Sequence, residues 1–479
     1  MRYDSWRGAE PCSCASDLVL ADSCIMKRFL LLLYFLELVP EKADSWGMLP
    51  APLQFITGFG GFLQWNPLKL PMFDVLILAI AVLAGDRAKS RRAHQMEKAI
   101  WVSLAALLMW VVWGVAMGGD TYQMQFQLHM IILPYAVTFA IAKVLTTPAD
   151  FYALGKVILA AAVYRAVTCI VYFVNAVALK GGPLPACCTS HSDSVLFVLG
   201  LVILVVHAIH QHSTIRRSSM VKMVVSFVLI LLGIQFNNRR LAWVSLVECL
   251  ILIYVLLPSG LLKKRINKKL IVAAPILALY VIVGMGRSEK IFLPLQALTS
   301  VKSESDNSTK SRDNENAGLI TTLAVNPVMG VGWGQKYNEI DASLSAGVSG
   351  FVQYRYLPHN SVLALLAFTG ALGFAAIWSV FPMAVFLNAY AYRKSHQSAV
   401  RTVALVGMAA VLAVVNQWYG DLGSTFELPG LVVASAFAAA IRLPSCADDS
   451  AVTVKENKRV RAPSALSRSS GQRAPRTAS

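Results

Sequence analysis

A succession of long apolar blocks separated by short polar links constrains this chain more than any other feature. One block, Ile100–Met117, reads IWVSLAALLMWVVWGVAM. A membrane span needs roughly 20 mostly apolar residues. Similar blocks fall at 28–39, 70–85, 100–118, 128–145, 152–179, 195–210, 221–236, 241–258, 270–286, 360–390, 402–418 and 429–442. The pattern predicts an all-α polytopic integral membrane protein of about twelve transmembrane helices. Several blocks are short and need flanking residues or local thinning of the bilayer to cross. The stretch from Trp46 to Trp65, rich in Gly and Pro, reads as interfacial or re-entrant.

Composition supports this reading. The 479 residues are 56% hydrophobic and only 14% charged, against about 25% charged in soluble domains. Water-soluble enzyme classes, disordered chains and fibrous chains are excluded. The net charge of +17 would suggest a nucleic-acid partner in a soluble protein. In a membrane protein its distribution matters more. Segments 86–98 and 259–269 each hold five Lys or Arg, and 211–222 and 391–401 hold three each. The links 119–127 and 419–428 hold none, and 180–194 holds one. The basic links recur at every second crossing, which marks the cytoplasmic side and puts both termini there. The charge is an orientation signal, so no nucleic acid is expected.

The order of segments suggests five regions. Residues 1–25 form a polar extension, and 26–286 carry spans one to nine. Residues 287–358 form the one long loop, on the periplasmic side. Residues 359–442 carry spans ten to twelve, and 443–479, rich in Ser, Arg and Ala, read as a disordered basic cytoplasmic tail. Met26-Lys27-Arg28 opens the first apolar run, and no small-x-small cleavage site follows, which favours an uncleaved span. Translation could begin at Met1 or Met26. The eight cysteines, at 12, 14, 24, 169, 187, 188, 249 and 446, show neither a disulfide framework nor a metal-ligand spacing.

A few charges break the distribution. Asn237-Asn238-Arg239-Arg240 places two arginines in a short outer link, where none is expected. Each presents five donors in a rigid fork suited to phosphate or carboxylate, although snorkelling to headgroups is the alternative. The long loop opens polar over 300–318 and turns apolar at Leu319–Val325, a helix capped by Asp313 or Asn314. Asn326-Pro327 then leads into Gly330, Gly332 and Gly334. Alternating glycines permit a tight path whose amides can face an anion, although an ordinary turn explains them as well. His359-Asn360 follows at the mouth of the next span. A histidine there could take a proton from an attacking hydroxyl while Asn360 orients ring or substrate.

Within the membrane, Arg165 lies near the centre of its block and is expected either in a substrate cavity or in a structural pair with Glu248 or Asp74. Lys156 is expected to snorkel. His207, His210 and His212 read as solvated, and Asp421 and Glu427 as outer residues able to hold a sugar.

The ordered set of a short outer Arg link, a large outer loop with an arginine, NPxxGxGxG, and HN at a helix start resembles the O-antigen ligase and O-antigen polymerase family. The matching pieces are Asn238-Arg239-Arg240, Arg312, Asn326-Pro327 with Gly330, Gly332 and Gly334, and His359-Asn360-Ser361. The resemblance covers roughly 225–380 closely. It departs at Leu241, where the family often has a small residue, which leaves open whether Arg239 or Arg240 is the key one.

The resemblance implies a glycosyl transfer on the outer face of the bacterial inner membrane. The donor would be a glycan on undecaprenyl diphosphate, and the acceptor either lipid A core sugar or another lipid-linked glycan. No cofactor, metal or nucleotide sugar would be needed. Arg239, Arg240 and Arg312 would meet the departing diphosphate and His359 would activate the acceptor. The rival class is a transporter or flippase of lipid-linked glycan, for which Arg165 is the best feature.

Overall fold

The computed structural model describes residues 15–39, 71–85, 91–179, 188–211, 216–285, 287, 292, 295, 307–341, 352–421, 423 and 426–461. The helices in chain order are α1 (Ala15–Leu38), α2 (Met72–Leu83), α3 (Ala93–Ala116), α4 (Thr121–Val144), α5 (Pro148–Phe173), α6 (Asp193–Gln211), α7 (Arg217–Asn237) and α8 (Arg240–Leu256). After them come α9 (Leu261–Gly284), α10 (Asn307–Val325), α11 (Ser361–Trp378), α12 (Val380–Lys394), α13 (Ser398–Gly420) and α14 (Glu427–Arg461). No strand occurs among the described residues.

Each expected apolar block falls on helix. Nine helices among the described residues are long and apolar enough to cross a membrane, with α11 and α12 joined as one such segment, Ser361–Lys394. Of the remaining blocks, α2 has 12 residues, about 18 Å of helix against a hydrocarbon core of about 30 Å. Its length does not support a full crossing by itself. The protein is a multi-pass membrane protein. Its apolar surface agrees: α9 has no buried residue in its apolar window, and Leu270, Ile271, Ile276, Leu277 and Ile282 on it are all exposed. An apolar face of that size is stable where lipid covers it.

Packing is densest around α14, 89% of whose apolar window is buried. The helix carries small residues such as Ala434, Ala438 and Ala440 at 0% exposure, so neighbouring helices approach closely. Helices α4, α12 and α13 surround it.

Three expectations change. Helix α1 begins inside the polar extension, at Ala15. Helix α14 continues to Arg461, past Pro444, so the stretch expected to be disordered is helical to that point. Helix α10 starts at Asn307 rather than after Asn314, which places Arg312 and Glu315 on a helix. The polar run 307–318 has no apolar face that would predict a helix; tertiary partners hold it instead. Trp46–Trp65, Cys12, Cys14, Cys187 and His212 lie outside the described residues.

Candidate functional site

The site is built where α6, α8 and α11 begin, where α7 and α13 end, and where α10 crosses over them. The link between α7 and α8 shows how the sequence shapes it. Asn237 is buried; its side chain accepts from the Thr189 amide and donates to the Ser190 carbonyl. Asn238 closes α7 at φ +53°, the left-handed conformation that Asn tolerates best after Gly. Arg239 is then extended and turns its guanidinium inward, while Arg240 opens α8 with an exposed side chain.

Arg239 reaches Nε2 of His191 at 2.7 Å, and His191 Nδ1 lies 2.7 Å from Asp421. A guanidinium has no acceptor. Nε2 must therefore accept, Nδ1–H must donate, and this ring is neutral in this arrangement. Asp421 also receives Arg312 at 3.1 Å, and Arg312 donates to the Gly420 carbonyl at 3.0 Å. Burial raises the Asp421 carboxyl, but the His191 hydrogen bond and the charges of Arg312 and Arg239 outweigh it and hold its pKa below the ordinary value. Among the described residues, Arg239 Nε is buried and has no hydrogen-bond partner.

A second cluster adjoins the first through α10. Glu315 lies three residues after Arg312, on the same helix face. Its carboxylate accepts from His359 Nδ1 at 2.9 Å and from the His359 amide at 2.5 Å. Glu315 is only 5% exposed and His359 19%, so the acid is hidden and the imidazole partly open. Glu315 fixes Nδ1 as the protonated nitrogen and leaves Nε2 as the basic one. Asn360 does something other than orient that ring. Its side-chain oxygen caps α11 on the Leu363 amide at 3.0 Å, and its amide donates to Asn316 at 3.0 Å. The Tyr354 ring lies 5.2 Å from His359. Burial, followed by the Asp421 and Glu315 charges, pushes its phenol pKa up.

The glycine segment holds this assembly in place. Helix α11 breaks at Gly370, where φ is +61° and ψ −176°. The break frees backbone groups that the glycine turn takes up: Ala371 N donates to Pro327 O at 2.8 Å and Gly332 N to Phe368 O at 2.8 Å. Non-helical backbone at this depth is stable only when buried in protein with its groups paired. The expectation that the amides face an anion is corrected. Gly330 N donates to Asn326 O, Gly332 N to Phe368 O, and Gly334 N to the Gln127 side chain. The glycines are needed for close approach. A Cβ on Gly332 would lie 2.6 Å from Gly114 Cα, and φ there is +95°.

Of the two alternatives for Arg165, the structural pair is the one formed, with a different partner. Arg165 forms a sealed pair with Asp193, with bonds of 2.7, 2.8 and 2.9 Å, and the two side chains are 2% and 0% exposed. Its partner is neither Glu248, which meets Asn416, nor Asp74, which meets His129. Asp421, read as able to hold a sugar, binds Arg312 and His191 here. His210, expected to be solvated, contacts the Thr402 hydroxyl at 2.9 Å. His191 and Glu315 were not foreseen. No three His, Cys, Asp or Glu side chains among the described residues are arranged to hold a metal ion.

The fold and the site together define a multi-pass membrane protein with paired arginines and an acid-oriented histidine at one end of its helices. The segment that supplies most of them, residues 214–378, matches the family model described as O-antigen ligase. Over that segment the chain is similar to the O-antigen ligase family, whose members process glycans at a membrane. A comparison with curated proteins finds no match.

Proposed function

We propose that the chain transfers a glycan from a lipid diphosphate, of the undecaprenyl type, to a hydroxyl of a second glycan or of lipid A core sugar, on the periplasmic face of the inner membrane. The observation that carries this reading is the buried, unpartnered Arg239 Nε beside Arg312, with the His359 imidazole across α10. A buried donor without an acceptor calls for an explanation, and beside a second arginine an anionic ligand supplies one. Phosphate oxygens meet that need; until they arrive, Asp421 holds Arg312 directly and Arg239 through His191.

In the transfer, the acceptor oxygen attacks the anomeric carbon, and its proton passes to His359 Nε2. The bond from that carbon to the phosphate oxygen breaks, and the lipid diphosphate leaves with the electron pair. Arg239 and Arg312 meet the charge that develops there. Glu315 keeps the imidazole in the tautomer that can accept a proton. Arg240, exposed at the head of α8, is placed to attract the anionic donor from outside. Arg165, the residue best suited to a transport pathway, is closed on Asp193.

Deletion followed by gel analysis of surface glycans tests the reading. Loss of long chains from the lipid A core, with lipid-linked polymer accumulating, identifies a ligase; loss of the polymer itself identifies a polymerase. Normal surface glycans in an Arg239→Ala or His359→Ala strain with normal membrane insertion would overturn it.

A further inference from the structure

A cavity among the described residues lies away from the polar cluster. It holds about 290 Å³ between α5, α6, α7, α13 and α14, and Leu154, Ile158, Leu159, Ile203, Val406 and Ala410 line its interior. Along α13 its lining residue Thr402 precedes Asp421 by 19 positions, which is about 28 Å of helix. The cavity therefore opens toward the opposite end of the bundle from the arginines.

Gly155 on its wall shows that the space is built. A glycine inside a helix costs roughly 1 kcal/mol relative to alanine, so it calls for a reason. Helical glycines elsewhere have one: a Cβ on Gly200 would lie 2.8 Å from the Ala162 side chain, and one on Gly233 2.9 Å from that of Ala166. A Cβ on Gly155 would meet nothing within 4 Å. Gly155 is not left-handed and no neighbour crowds it. What its missing side chain does is enlarge the cavity.

The chemistry of wall and rim identifies the occupant. Water needs two to four polar partners to stay in such a space, and the interior offers aliphatic carbon. Lys156 and Tyr152 stand at the rim beside His207. The Tyr152 hydroxyl accepts from Gln211 at 3.3 Å, which leaves its own proton to donate. Lys156 is exposed, as are Arg216 and Arg217 at the head of α7. An apolar chamber with a cationic, hydrogen-bond-donating rim, in a protein surrounded by lipid, matches a phospholipid with net negative charge.

We infer that this cavity binds one acyl chain of an anionic phospholipid, with the lipid phosphate held at Lys156 and Tyr152. The site is separate from the glycan chemistry and stands whether or not that reading holds.

The test uses the full chain in vesicles of equal phosphatidylglycerol and phosphatidylcholine, with retained lipid read by native mass spectrometry after mild detergent extraction. One phosphatidylglycerol per chain is expected, favoured about fivefold over phosphatidylcholine, the scale of one exposed ion contact. Gly155→Leu should abolish retention by filling the chamber, and Ala410→Leu should reduce it from the other wall. Lys156→Glu should keep a lipid but remove the preference for the anionic one. Retention in Gly155→Leu equal to that of the unsubstituted chain would overturn the inference. So would indifference to headgroup charge, or displacement of the phospholipid by an added polyisoprenyl phosphate.

Discussion

An arginine–aspartate pair and an arginine–histidine–aspartate relay meet the head of α6 only two residues apart, and they differ in kind. Arg165 and Asp193 are sealed from solvent and joined by three hydrogen bonds. His191 links Arg239 to Asp421 in a cluster where His191 remains 30% and Arg312 36% exposed, and Arg239 keeps an unused donor. The same residue types thus serve two ends. A closed pair contributes to one arrangement of helices, whereas an open cluster can exchange its carboxylate for a ligand. Accessibility and an unmet hydrogen bond separate the two, while charge and distance do not.

Substitutions can break this comparison. The largest effect is expected at His359: His359→Ala should lower transfer by about a hundredfold to ten-thousandfold, the usual contribution of a general base, measured as product formed on purified lipid-linked donor. Arg312→Ala and Arg239→Ala should each lower it about a hundredfold or more with only a small loss of thermal stability, since Asp421 keeps its other partners. Arg165→Ala should do the reverse. It strands the Asp193 charge and should destabilise the protein by about 3–5 kcal/mol, read by unfolding in detergent. The double change Arg165→Met with Asp193→Leu should recover much of that loss. An Arg165→Ala protein of normal stability and no activity would erase the distinction between the pairs.

Two smaller effects sharpen it. Glu315→Gln keeps the size of the side chain but removes its charge; it should lower kcat about tenfold with little change in KM. Acid should act through Asp421. Its folded pKa lies below the ordinary value of 3.8, so its contribution is present above that value and is lost as pH falls through the lower folded one. Asp421→Asn should therefore be less stable at neutral pH and lose less on acidification.

The apolar blocks and their order were legible because lipid imposes the same length and composition on every span. Arg239, Arg312 and His359 were legible as charges in unexpected places, and the structure gathers them at one end of the bundle. Glu315 was hidden in a polar run with no apolar face. His191 was hidden because its partners Arg239 and Asp421 are 48 and 230 residues away, and no local pattern reports such distances. The glycine segment was visible, but its role was not: without Gly370 and Gly114 in place, a turn and an anion cradle read alike.

The exchange of backbone bonds between the glycine turn and the broken α11 has a consequence for biogenesis. The turn rests on Gly114 of α3 and Gln127 of α4 as well as on α11, so its seat combines parts synthesised more than 200 residues apart. The mouth of α11, with its histidine, can settle only after the early spans have entered the bilayer and waited for the late ones. Completion of the polar cluster is then a final event of assembly, and a half-made chain in the membrane carries only parts of it.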